Sequence, residues 1–233
     1  IRFDSYSATV VEDYENLKED VREIDIIGIL KRELSKNEID QSIVKIIINT
    51  LSVLSKEDQE QAIVILLDQN NQILLSPFLT RIMRSIKRIY GSVHDDLKEF
   101  IDNSLLEIIR NQSFLKNIKL NLNFIIQILS IRYSQEKEEL FVELFEKETD
   151  HYLKRQIIIA MANWNCYYWL NDIRNQFATL TTWERRAVIY ASYILSSEGD
   201  LWRENTIRYY TKEEILINDW CMETKQNNKK LSV

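Results

Sequence analysis

The stretch SPFLTRIMRSIKRIYGS, residues 76–92, contains one complete apolar helix between polar residues that can start and end it. The hydroxyl of Ser76 can accept a hydrogen bond from the unpaired N–H groups of a starting helix. Pro77 suits the first helical position, where its missing N–H has no intrahelical partner to lose. The pair Tyr90-Gly91 predicts the end of the helix, with glycine in its usual C-terminal role.

Polar residues of this kind stand ahead of apolar runs along much of the chain. They are Ser55, Ser76, Ser92, Ser113, Ser134 and Asp150. Taking every second one gives separations of 37, 37, 42 and 37 residues, and two helices in such a period are typical of HEAT-like repeats. The chain has three Gly, one Pro and no sustained apolar alternation. The sequence thus predicts an all-α fold, a HEAT-like α-solenoid of about ten to twelve antiparallel helices with essentially no β-sheet.

Capping residues and apolar periodicity set the expected bounds of the helices. These cover residues 10–34 (broken or paired), 37–54, 55–68, 76–90, 92–110, 114–133, 135–147, 151–164, 181–195 and 211–225, with Asn37, Thr181 and Thr211 among the caps. We expect one repeat domain over residues 1–225 and a disordered polar tail over 226–233. Because residue 1 is Ile rather than Met, we expect the chain to be the C-terminal portion of a longer protein.

Composition excludes several classes of function. The net charge of −6 resides in residues 1–60, and residues 61–233 carry 22 basic and 22 acidic side chains, so bulk charge does not indicate nucleic-acid binding. Two cysteines and two histidines are too few for a disulfide framework or a metal site and suit a reducing cytosol, so we expect a cytoplasmic protein. No run approaches the ~20 apolar residues of a membrane span, so we expect no membrane partner.

Two short motifs superficially resemble catalytic ones. Val93-His94-Asp95-Asp96 resembles the aromatic-x-Asp-Asp turn that holds Mg²⁺ in polymerases, but the aspartates are expected in the first turn of a helix, where the macrodipole favours them. Arg88 and His94 have the Arg-x5-His spacing of small helical RNases, but a turn is expected between them. We therefore predict no catalytic residue and no metal site in this chain.

A basic row on the helix of residues 76–90 is a stronger candidate. At 100° per residue, Arg81, Arg84 and Arg88 lie within about 60° of one another, and Lys87 lies nearby. A row of guanidinium groups can follow a phosphate backbone. The alternative is a solvated face, or pairing with acidic neighbours.

Aromatic residues are concentrated near the C-terminus, where they could stack on bases or pack in the core. All five tryptophans lie there, at positions 164, 169, 183, 202 and 220. Core or inter-domain packing is the favoured interpretation.

The C-terminal third also carries a specific resemblance. WERRAVIYASYIL at 183–195 leads into EGDLWR at 198–203, and YTKEE at 210–214 opens a helix bearing Asp219-Trp220. This succession resembles the C-terminus of bacterial reverse transcriptases of the abortive-infection and antiviral-defence group. DIIGIL at 25–30 is similar to the segment that opens the helical repeats in that group.

The resemblance implies the C-terminal HEAT-like domain of an RNA-directed DNA polymerase. Such a domain packs on the polymerase domain of the same protein, helps to guide DNA or RNA, and supports self-assembly as a homo-oligomer, while Mg²⁺ belongs to the polymerase domain. The expected nucleic-acid or inter-domain contact residues are Arg81, Arg84, Arg88, Arg185, Arg186 and Arg203. The expected structural motif consists of Trp183, Glu184, Glu198, Gly199, Trp202 and Trp220.

Two other functions stay open at this point. One is a stand-alone protein-interaction scaffold that docks partners on its acidic N-terminal region. The other is a HEAT-like alkylpurine DNA glycosylase, which the order of Trp183, Arg185, Arg186 and Ala187 resembles. A sequence pI near 5.2 disfavours the glycosylase, because base flipping begins with gripping duplex phosphates.

Overall fold

A computed structural model describes residues 24–36, 38–71, 75–110, 118–147, 149–195, 203 and 206–231. These residues form helices and connecting turns and include no strand, which confirms the predicted all-α class. The α-helices in this part of the chain are α1 Ile26–Leu34, α2 Gln41–Thr50, α3 Lys56–Leu67, α4 Leu79–Ile89, α5 Asp95–Arg110, α6 Ile118–Leu129, α7 Gln135–Lys147, α8 His151–Asn163, α9 Tyr167–Asn175, α10 Thr182–Ile194 and α11 Lys212–Leu231.

The chain divides into two compact units between Ile128 and Leu129, near the end of α6. In the first unit α1 packs on α2 and α3, α2 packs on α4, and α3 packs on α5. In the second unit α8 contacts α7, α9 and α10, and α10 contacts α11. Several helices therefore pack on the helix two places along the chain. The expectation of a single domain over 1–225 stays a prediction.

Aliphatic side chains supply most of the buried surface of each unit. In the first unit the fully buried residues include Leu30, Ile48, Ile63, Ile82 and Ile86. In the second they include Phe141, Ile157, Met161, Leu170 and Ile189. Because burying one such side chain contributes about 1.5–3 kcal/mol, these faces hold the helices in place and leave the opposite faces to solvent.

Most of the predicted helix starts are confirmed. The Ser55 hydroxyl accepts the N–H of Asp58 at 3.1 Å, and the Asp150 carboxylate accepts the N–H of Tyr152 at 2.8 Å. Thr181 and Glu184 form the predicted capping box ahead of α10. A second box precedes α11, where the backbone N–H of Thr211 donates to Glu214 and that of Glu214 donates to Thr211.

Three predicted caps are wrong or displaced. Residues Ser76–Phe78 form a 3₁₀ turn, so α4 begins at Leu79 rather than directly after Ser76. The N-cap of α2 is Asp40, whose carboxylate accepts the N–H of Ser42, rather than Asn37. Ser92 donates its N–H and its hydroxyl to the carbonyl of Ile89, so it closes α4 instead of opening α5. His94 opens α5, because its Nδ1 accepts the N–H of Leu97 at 3.1 Å.

The glycine at position 91 does not take the predicted C-terminal role. No described glycine has a positive φ. Tyr90, the C-cap residue of α4, has a right-handed helical conformation. The left-handed end occurs instead at Asn165, with φ 57°. There the N–H of Cys166 donates to the carbonyl of Met161 and that of Asn165 to Ala162, which is a Schellman motif closing α8.

Three helices differ from their predicted bounds. α9 was not predicted, because Cys166 begins it without a side-chain cap. α6 ends at Leu129 rather than near residue 133. The buried ammonium of Lys137 donates to the carbonyls of Leu129 and Arg132 in the segment after this helix end. α11 continues to Leu231, although we expected an end near 225 and a disordered tail. Residues 226–231 contain no Gly or Pro to stop a helix.

Some predictions concern parts of the chain outside the described residues. They include the expected start of the first helix near 10, the cap at Ser113, and the loop with Glu198, Gly199 and Trp202. Within the described ranges, none of the helices combines the length and the apolar composition that crossing a bilayer requires.

One buried hydrogen bond in the first unit allows a test of this packing. The fully buried Tyr90 hydroxyl donates to the Asp102 carboxylate at 2.8 Å. Tyr90→Phe removes the hydroxyl that donates to the buried Asp102 carboxylate. We therefore expect the free energy of unfolding to fall by about 1.5–3 kcal/mol. Urea unfolding followed by circular dichroism measures the change.

The matched control is Tyr168→Phe, because the Tyr168 side chain is 88% exposed. This variant should unfold within roughly 0.5 kcal/mol of the parent chain. An equal loss in both variants would contradict the buried Tyr90–Asp102 contact.

Candidate nucleic-acid interface

The basic row of α4 lies on the solvent side of that helix. Arg81, Arg84, Lys87 and Arg88 are all exposed. The other face is buried and consists of Leu79, Ile82, Met83, Ser85, Ile86 and Ile89. The sequence therefore predicted both faces of this helix correctly.

Among the described residues, neutral side chains and no carboxylates contact this row. The guanidinium of Arg84 lies 5.6 Å from the ring centroid of Phe124 on α6, and Lys87 hydrogen-bonds the amide oxygen of Gln127. Arg81 and Arg88 make no ion pair within the described part of the chain. Their guanidinium donors are thus available to an anion from outside.

The arginines of α10 are engaged differently. Arg185 holds Glu214 of α11 with two hydrogen bonds, Nε to Oε1 at 2.8 Å and Nη2 to Oε2 at 2.6 Å. Its guanidinium also lies 4.6 Å from the ring centroid of Phe177. Arg186 donates to the exposed Glu213 at 2.7 Å. These two pairs connect α10 with α11.

Arg203 is buried, with 8% of its surface exposed, whereas Arg185 and Arg186 are only partly buried. Its guanidinium lies 4.7 Å from the ring centroid of Tyr193. The six arginines expected to make contacts therefore form two groups. Those of α4 face solvent without acidic partners, whereas Arg185, Arg186 and Arg203 lie in contacts within the second unit.

Residues of the predicted structural motif occupy distinct places in the second unit. Trp183 is 47% exposed, and the guanidinium groups of Arg155 and Arg186 lie 5.7 and 5.9 Å from its ring. Glu184 is buried, which opposes its ionisation, but hydrogen bonds from Thr181 outweigh burial and hold the pKa of Glu184 below its usual value. Trp220 is 61% exposed on α11.

Groups that could act chemically are engaged in other contacts. Burial, reinforced by the neighbouring Glu138 carboxylate, raises the pKa of Cys166 to about 12, so its thiol is not an activated nucleophile. His94 uses Nδ1 as the helix cap and Nε2 toward Glu60 at 2.7 Å. Asp95 lies in the first turn of α5, as predicted, and binds Lys98 at 3.1 Å. In the described ranges no group of three or more His, Cys, Asp or Glu side chains could hold a metal ion.

The sequence analysis missed the polar and aromatic residues of α6 beside the basic row. Phe124 and Gln127 lie about one repeat period beyond their partners Arg84 and Lys87. Asn121 accepts a hydrogen bond from Thr80, at the start of α4, at 2.6 Å. The expected repeat separation of 37–42 residues could have suggested these partners, which lie 40 or 41 residues apart.

Comparison with known proteins identified no relative: no family model, curated protein or solved structure matches this chain.

The Arg185–Glu214 pair gives a pH-dependent prediction. Burial opposes ionisation of the Glu214 carboxyl, but hydrogen bonds from Arg185 and Thr211 hold its pKa below the usual glutamate value of 4.5. A carboxyl group whose pKa is lower in the folded chain than in the unfolded chain stabilises the fold at any pH above its unfolded pKa. This stabilisation disappears as the pH falls through the pKa of the folded chain. Glu214→Gln should therefore lower the free energy of unfolding by about 1.5–3 kcal/mol at pH 7.

The difference between the parent chain and Glu214→Gln should shrink as the pH falls below 4.5, as measured by urea unfolding over a pH series. The control is Glu213→Gln, which removes an exposed ion pair worth roughly 0–1 kcal/mol. A Glu214→Gln difference that stays constant with pH would contradict this role of the Glu214 carboxylate.

Proposed function

We propose that this chain is a helical-repeat domain that binds the phosphate backbone of a nucleic acid along α4. The observation that carries the proposal is the exposed row of Arg81, Arg84 and Arg88, which has no carboxylate partner in the part of the chain that the structure describes. Helix geometry places successive members three or four residues apart on one face. Each guanidinium presents several donors that match phosphate oxygens. Phosphate contacts of this kind position a strand without reading its sequence.

Helix packing supports a HEAT-like arrangement for this domain. The contacts of α1 with α3, α2 with α4, and α3 with α5 join every second helix of the first unit. In a solenoid of two-helix repeats, equivalent helices of neighbouring repeats pack side by side in this way. An α-solenoid of antiparallel helices is therefore the arrangement we propose.

The resemblance of residues 183–203 and 210–220 places this proposal in a larger context. We propose that the parent protein is an antiphage-defence reverse transcriptase of bacteria, and that this domain follows its polymerase domain. Catalytic carboxylates and Mg²⁺ would then belong to that polymerase domain. The basic row would guide the template or the product.

An apolar stripe on α11 supports contact with another protein surface. Leu216 is 68% exposed, Trp220 is 61% exposed, and Ile215 is 40% exposed. Leu216 and Trp220 are four residues apart and so lie on one face of the helix. Exposed aromatic and aliphatic side chains in a continuous stripe favour docking, either on the polymerase domain or on a second copy of this chain. A stand-alone protein-interaction scaffold would also use such a surface.

The basic row can be tested by replacing Arg81, Arg84 and Arg88 together with Gln. We expect weaker binding of a labelled single-stranded oligonucleotide in fluorescence anisotropy. The dependence of log affinity on log salt concentration should become less steep by about 0.7 for each lost phosphate contact.

The control variant neutralises Lys31, Arg32 and Lys56, exposed cations of α1 and α3 that leave α4 intact. Net charge changes equally in the two variants. If the control loses as much affinity as the α4 variant, the binding depends on net charge and the proposed α4 site is wrong.

The proposal that the parent protein is a reverse transcriptase can be tested separately, by reading the coding sequence before Ile1. An aromatic-x-Asp-Asp motif encoded upstream in the same reading frame supports the reverse transcriptase. Upstream coding sequence without that motif would remove the reverse transcriptase proposal and leave the phosphate-binding proposal standing.

A further inference from the structure

A pocket of about 210 Å³ lies in the second unit, where the turn before α7 meets the turn between α8 and α9. Its lining is dominated by aromatic rings. The lining residues are Tyr133, Glu138, Trp164, Asn165, Cys166, Tyr167, Tyr168 and Trp169. None of these residues takes part in the phosphate-binding proposal.

Internal contacts hold two walls of this pocket in place. The indole N–H of Trp164 donates to the carbonyl of Ser130 at 2.9 Å, and its ring stacks on Phe141 at 4.9 Å between centroids. Tyr133 meets Trp164 edge to face at 5.8 Å. Trp169 contacts Phe145 in the same manner at 5.0 Å. These rings are therefore oriented before any ligand arrives, which lowers the entropy cost of binding.

The Schellman turn at Asn165 places the remaining rings. Because this residue takes a left-handed conformation, α8 ends abruptly and α9 begins two residues later with three aromatic side chains. Tyr167 and Tyr168 meet edge to face at 6.0 Å. Tyr168 is 88% exposed, an unusually high exposure for an aromatic ring beside a pocket.

One carboxylate lines this aromatic pocket. Glu138 accepts a hydrogen bond from the Tyr133 hydroxyl at 2.9 Å, and this bond raises the pKa of that hydroxyl. The neighbouring Glu138 carboxylate also contributes to the raised pKa of the Cys166 thiol. Both of these groups are neutral, and no Lys, Arg or His of the described residues forms an ion pair with this carboxylate. The negative charge of the pocket is left without a counter-charge from these residues.

We propose that this pocket binds an organic ammonium cation, with the aromatic rings contacting its alkyl groups and Glu138 balancing its charge. Ring faces attract cations through their quadrupole, and quaternary ammonium groups are recognised by clusters of Trp and Tyr. A carboxylate adds a Coulomb attraction that a neutral ligand of the same shape cannot use. The cation can come from a free small molecule or from a methylated lysine side chain of a protein.

Intrinsic tryptophan fluorescence reports on the pocket, because two of the five tryptophans of the chain, Trp164 and Trp169, line it. The 233-residue chain is titrated with choline, with a trimethyllysine peptide, and with 3,3-dimethylbutan-1-ol, the neutral isostere of choline. We expect saturable quenching by at least one of the two ammonium ligands, and binding by the isostere at least tenfold weaker, in line with a cation–π and charge contribution of about 1–2 kcal/mol. Preference between choline and the peptide identifies the source of the cation.

Two variants test the residues that carry the proposal. Glu138→Gln keeps an acceptor for Tyr133 but removes the charge, and Tyr168→Ala removes an exposed ring that contributes little to folding. Each should raise the dissociation constant for the preferred ammonium ligand by roughly three- to tenfold. The controls are Glu139→Gln, the same charge change outside the pocket, and Tyr190→Ala, an exposed tyrosine on α10. Both controls should bind like the parent chain.

Three results would overturn the proposal. The first is equal affinity for choline and its neutral isostere, which would show an apolar pocket without cation selectivity. The second is equal loss of affinity in the Glu138 and Glu139 variants. The third is an absence of saturable quenching by both ammonium ligands while circular dichroism shows a folded chain.

Discussion

Burial of the aliphatic face of α4 is the constraint on which the rest of the account depends. Leu79, Ile82, Met83, Ile86 and Ile89 are all buried. Rotating the helix to hide its arginines would expose these side chains at about 1.5–3 kcal/mol each. The row of guanidinium groups therefore stays on the solvent side. Because its neighbours Phe124 and Gln127 are neutral, the row keeps its charge available for an external anion.

The two units use arginine for different purposes. In the first unit the cations of α4 face water, and the one buried carboxylate described above, Asp102, binds a tyrosine hydroxyl instead. In the second unit Arg185 and Arg186 connect α10 to α11 through Glu214 and Glu213. The largely buried Arg185–Glu214 pair resists removal of either partner, because the remaining charge would be left without compensation. The arginines of α10 thus stabilise packing in the second unit, whereas those of α4 in the first unit are available for binding.

The sequence predicted four helix starts at which a side chain supplies the cap, although it missed the Asp40 cap of α2. Ser55, Asp150, Thr181 and Thr211 begin helices as expected, because their oxygens accept backbone N–H groups that nothing else satisfies. Prediction failed where a residue acted outside its usual role. His94 caps α5 through an imidazole nitrogen, and Gly91 lacks the positive φ with which glycine usually ends a helix.

The candidate sites were predictable only in part, for physical reasons. One helix face follows from 3.6 residues per turn, so the basic row could be read from the sequence. The aromatic pocket could not, because it depends on Asn165 adopting a left-handed turn and on Tyr133 and Glu138 meeting residues about thirty positions away. Similarly, composition gives no sign that Arg185 faces Glu214.

Photo-crosslinking tests the central claim most directly. An oligonucleotide that carries 5-iododeoxyuridine is irradiated with the chain, and the crosslinked peptides are identified by mass spectrometry after digestion with a glutamate-specific protease. The account predicts crosslinks in the peptides that contain α4 and Phe124 of α6. Crosslinks confined to α10 and α11 would contradict it.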